Sequence, residues 1–188
     1  MSFSGGSKVT ASQLNNQAMQ LVQNIVLGSS QPSVSFNPIA ASFNHLRLLW
    51  HVRTTSGNVV DNVTMQFAGD SGNNYDWQIM AGLNATVSTT PSLGASSILV
   101  GSGVGGAGSA NFFSNGEVDV LGWSQSSATH VVTVTGKWYA CWSNSAATSQ
   151  VGTMGGLYTP SAQVTSLSLA PAAGSFAAGC VFSLYGLN

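Results

Sequence analysis

Residues 45–53 alternate almost without a break: Leu46, Leu48, Trp50 and Val52 are apolar, and His45, Arg47, His51 and Arg53 stand between them, with only Leu49 out of step. A side-chain period of two sorts residues onto the two faces of a β-strand, and no helix can do the same. The period returns at 63–67 and 75–79, separated by the turn residues Gly69, Asp70, Ser71 and Gly72. Further apolar or alternating stretches lie at 97–100, 117–121, 130–135, 137–142, 164–169 and 180–187. That is about nine strands with no helical pattern between them, the spacing of a sandwich or barrel. The expected architecture is an antiparallel β-sandwich, jelly-roll-like, forming a single domain over 31–188.

The first thirty residues read differently. Thr10 and Gln13 have the spacing of a capping box, and Leu14, Ala18, Leu21 and Ile25 follow at helical intervals. Gly28 stands where a helix would end. The pattern predicts one α-helix over 11–27, preceding the sandwich and serving attachment or contact between copies. A deletion of 1–28 is then expected to leave the sandwich folded.

Charge is scarce. Four Lys/Arg and five Asp/Glu give a net charge of −1, and Ser, Gly, Thr and Asn fill 79 of 188 positions. Four cations cannot supply the basic surface that nucleic acid requires. A mean hydropathy of +0.21 excludes disorder driven by charge, and no run reaches the length of a membrane-spanning helix. A surface with so little charge suits a protein whose surface is covered in an assembly. Cys141 and Cys180 are too few for a disulfide framework and read as small buried thiols.

No stretch carries a recognisable chemistry. Gly103, Gly105 and Gly108 meet the letter of a dinucleotide fingerprint, but no helix follows to receive a pyrophosphate, and 101–108 is expected to be a flexible loop. The oxygen-rich stretch 70–76 lacks the alternating carboxylates of a calcium loop and reads as a hairpin turn. No catalytic, cofactor-binding or metal-binding residue is assigned. The polar face His45, Arg47, His51 and Arg53 is the candidate ligand or interface strip, with Glu117 and Asp119 as cross-strand partners for its arginines. Among five tryptophans, Trp77 and Trp123 are the candidate sugar-stacking positions, while Trp138, Ala140 and Trp142 share a face expected to point inward.

Two segments together resemble a known group of proteins. Thr10-Ala11-Ser12-Gln13-Leu14-Asn15 is similar to the "T-A-x-x-L-N" opening of many tailed-bacteriophage virion proteins. Gly174-Ser175-Phe176-Ala177-Ala178-Gly179 followed by Leu184-Tyr185-Gly186 resembles their C-terminal hairpin. The stretches 43–48 and 67–75 look like early strands of the same proteins. The resemblance implies a non-enzymatic structural protein on the virion exterior, most of all a tail-associated fibre, tip or adhesin component, with a capsid decoration or head-fibre protein as the alternative. It implies self-association as a homotrimer, contact with other virion proteins, and a host surface glycan or receptor as a further partner. A carbohydrate-binding module is the more distant alternative.

Overall fold

The computed structural model describes residues 19–143 and 149–188. In chain order the strands are β1 (Gln20–Val26), β2 (Val34–Phe36), β3 (His45–Val52), β4 (Val60–Phe67), β5 (Tyr75–Leu83) and β6 (Thr86–Ala95). They continue with β7 (Ile98–Val104), β8 (Ser114–Leu121), β9 (Val132–Cys141), β10 (Ser149–Tyr158), β11 (Leu167–Pro171) and β12 (Val181–Leu187). One short 3-10 turn, Trp123–Gln125, is the only helical element among the described residues.

Two antiparallel sheets result, one of eight strands in the order β1-β12-β3-β8-β9-β10-β5-β6 and one of four in the order β2-β11-β4-β7. The pairing is nested. β1 lies beside β12, β2 beside β11, β3 beside β8 and β4 beside β7, so the chain is one long hairpin rolled over itself. Two further hairpins, β5–β6 and β9–β10, are spliced in and pair with each other through β5 and β10. They lengthen the large sheet at the β8 side.

The core is where the apolar faces meet. From the large sheet come Leu46, Leu48, Trp50, Val118, Val134, Phe182 and Leu184; from the small sheet come Phe36, Val63, Met65, Phe67, Ile98 and Leu169. Each fully buried side chain of this size contributes about 1.5–3 kcal/mol relative to exposure. The burial of β3 follows its sequence alternation, with Leu46, Leu48, Trp50 and Val52 inside.

The predicted helix over 11–27 is not what the described part of that segment forms. Residues 20–26 are strand β1, hydrogen-bonded to β12; Thr10, Gln13, Leu14 and Ala18 lie outside the described residues. A β-bulge lies between Leu21 and Gln23. It shifts the phase of the strand, so that Val22 and Ile25, three apart, both pack on the core while Leu21 is 57% exposed. β-branched residues and an open partner edge on β12 outweigh a short helical pattern.

The glycine-dense stretch also differs from expectation. Gly101 and Gly103 belong to β7, every residue of which is buried. A Cβ on Gly101 would sit 2.8 Å from Cζ2 of Trp50, so glycine serves here to let the small sheet pass beneath the indoles. The stretches 130–135 and 137–142, read as two strands, are largely one, β9, which runs through Gly136. Strands β2, β6 and β10 carry no strong sequence signal, their residues being dominated by Ser, Thr and Gly or too few.

Candidate functional site

The outer face of the large sheet presents the predicted strip. On β3, His45, Arg47, Leu49 and His51 point away from the core, and β8 sets Leu121, Asp119, Glu117 and Asn115 directly opposite them. β9 continues these rows with Thr133, Thr135, Lys137 and Tyr139.

Each predicted residue already has a partner. Arg47 donates from Nε and from an η nitrogen to the two carboxylate oxygens of Asp119, both at 2.7 Å. The paired carboxylate holds the Arg47 guanidinium above its ordinary pKa. His51 Nδ1 lies 2.8 Å from Asn115 Oδ1, and its ring stacks on Phe113 at 4.6 Å. His45 Nδ1 accepts the Gly122 N–H at 3.1 Å. Arg53, just past the end of β3, leaves the strip altogether. Its guanidinium donates to the carbonyls of Gly106, Gly108, Ser109 and Phe112 and so pins the 105–112 loop.

The cross-strand expectation is met for Arg47 with Asp119. Glu117 instead receives Lys137 Nζ at 2.9 Å. Among the described residues every lysine and arginine therefore has an internal partner, and the charges of Arg47 and Lys137 are matched by Asp119 and Glu117. Of the attachment positions, Ile25 packs against the core and Leu21 faces solvent, both on β1 rather than on a helix.

Between these rows the outer face dips into a hollow of about 480 Å³, walled by Leu49, Tyr139 and Val151 and edged by Asn115, Glu117 and Lys137. The backbone of Gly116 forms part of its floor. On the inner side of the same sheet the Trp50 indole lies flat on Gly116 and the Trp138 indole on Gly152, where any Cβ would collide with the rings. These glycines make room for two large rings against the sheet.

Tyr139 is 49% exposed, whereas Trp50, Trp123 and Trp138 are buried and Trp77 and Trp142 half-buried. Trp77, packed half-buried against the core, donates its Nε1–H to the Ser97 carbonyl, and Trp123 fills the core. Ala140 and Trp138 point inward as expected. Sequence reasoning passed over Tyr139, although the alternation along β9 carries the signal: with Trp138 and Ala140 inside, Tyr139 must be outside.

At the predicted turn, Asp70 Oδ1 accepts the Gly72 N–H at 2.7 Å, and Oδ2 accepts from Asn74 and from the Tyr158 hydroxyl. These donors hold the Asp70 carboxyl below the usual range. Both carboxylate oxygens are committed to building the turn. Compared with known protein families and with curated proteins, the chain matches none.

Proposed function

We propose that the chain is a non-enzymatic building block of a tailed-phage particle, exposed on its exterior, with a tail-associated fibre, tip or adhesin component as the leading placement. One observation carries most weight: the nested pairing of β1 with β12, β2 with β11, β3 with β8 and β4 with β7. It is the arrangement of a jelly roll, an architecture shared by viral capsid and lectin domains. A sequence with so few charges, whose basic groups among the described residues are spent on internal partners, supports a role in contact rather than in catalysis. The partners in this reading are other copies and other virion proteins.

The test is the copy number of this chain in purified particles, by quantitative mass spectrometry against the major shell protein. A small fraction of the shell count supports the tail placement. A count comparable to the shell protein moves the chain to capsid decoration, and absence from particles overturns the virion reading. The hollow beside Tyr139 favours a second reading, recognition of a neutral sugar, since an aromatic face ringed by amide, carboxylate and ammonium groups suits a pyranose. Saturable binding of a host polysaccharide, lost in Tyr139→Ala with folding intact, would support it; a flat titration would remove it.

A further inference from the structure

Strand β6 ends the large sheet, pairing with β5 on one side and with nothing among the described residues on the other. All ten of its residues are exposed or half-exposed, because the small sheet does not reach beneath it. Natural sheets protect such edges with lysines, other charges or a covering element. Here the protection is thin: Pro91 guards one position of the edge, and residues 77–116 contain no charged side chain at all. Large apolar groups gather around the same hairpin, with Val87 at 70%, Leu93 at 83%, Met80 at 52% and neighbouring Val151 at 60% exposure.

We propose that β6 pairs antiparallel with β6 of a second copy across a two-fold axis. An open strand edge offers N–H and C=O groups in a register that only another extended chain matches. A second copy satisfies three requirements together. It brings an identical open edge, it brings no like charge to repel across the contact, and antiparallel self-pairing closes on itself without propagating.

Pro91 sets the register. It cannot donate toward β5, so its nitrogen faces the open edge, and by the two-residue period Val87 and Thr89 turn their N–H and C=O groups the same way. Pairing Val87 of one copy with Thr89 of the other, and the reverse, places the axis at Ser88. The two Ser88 residues then face each other as a non-hydrogen-bonded pair, the closest type of cross-strand neighbour. Val87 meets Thr89 on the outer face, extending the apolar belt of Tyr139 and Val151 from one copy into the next. This pairing is independent of the virion reading and holds for the isolated chain.

Sedimentation velocity of the full chain across the micromolar range tests it, alongside Val87→Lys/Thr89→Lys. The expected result is a concentration-dependent dimer for the parent and a monomer for the lysine variant, with circular dichroism unchanged. Ser88→Cys is expected to cross-link to itself on mild oxidation, and Val131→Cys, equally exposed but distant from β6, to do so far more slowly. A parent that stays monomeric throughout, a trimer mass, or a dimer that survives the lysines while Ser88→Cys fails to cross-link would each overturn the proposal.

Discussion

Gly152 and Gly116 show how a single hydrogen in place of a methyl group can organise a sheet. Each lies under a flat indole, and a Cβ at either would enter the ring's van der Waals envelope. Gly152→Ala is expected to destabilise the fold by about 1–3 kcal/mol, the usual cost of overpacking, measured as a lower midpoint in urea with an unchanged slope. Gly155→Ala, three residues on with open space at its Cβ, is the matched control. At the 70–76 turn the expectation concerns pH. Asp70 has a depressed pKa in the folded chain, so the folded state takes up that proton less readily than the unfolded state. The stability this turn supplies is complete above the ordinary aspartate pKa of about 3.9 and is lost as pH falls through the lower folded value. Asp70→Asn should flatten that acid limb in thermal melts taken at descending pH. Tyr75 has the opposite sense: burial raises its pKa to about 12. The stability it supplies is full below its unfolded pKa near 10 and is lost as pH rises through the folded value.

At the scale of elements, β1 decides how the N-terminal segment is to be regarded. It forms backbone pairs with β12 from Gln20 to Val26, and Leu27 follows into the core, its N–H bonded to the Cys180 carbonyl. Removing 1–28 strips the edge from β12 and should lower the melting temperature markedly, contrary to the expectation drawn from a helical arm. Differential scanning calorimetry of this truncation beside the full chain checks it. The strands most legible in the sequence, β3, β4 and β8, each have one face buried and the other mainly polar, so burial wrote its period into the side chains. β6 is exposed on both faces and had no such pressure, while β7 is buried on both faces and its glycines imitated a loop. The polar strip was legible as a face, because parity alone fixes it. Its pairings were legible only in part: alternation says which residues share a face, but the register that gave Lys137 to Glu117 depends on β9, whose continuity through Gly136 the sequence hides.

For the whole molecule, the nested pairing joins residues far apart in the chain: Gln20 beside Gly186, Val34 beside Leu169, and His45 beside both Leu187 and Leu121. Contacts of such long sequence separation place the chain among slow folders, in the range of milliseconds to seconds or beyond, which stopped-flow tryptophan fluorescence would read directly. Deleting residues 181–188 should abolish cooperative unfolding altogether, since β12 sits between β1 and β3 and contributes Phe182 and Leu184 to the core. During synthesis this arrangement imposes an order of events. β1 and β3 emerge early and cannot lie side by side as neighbours, because the place between them belongs to a strand that the ribosome makes more than a hundred residues later. Until it arrives, β3 keeps an open edge and β1 has no strand of the sheet to join. Whatever extended segment passes near is a competitor for that edge.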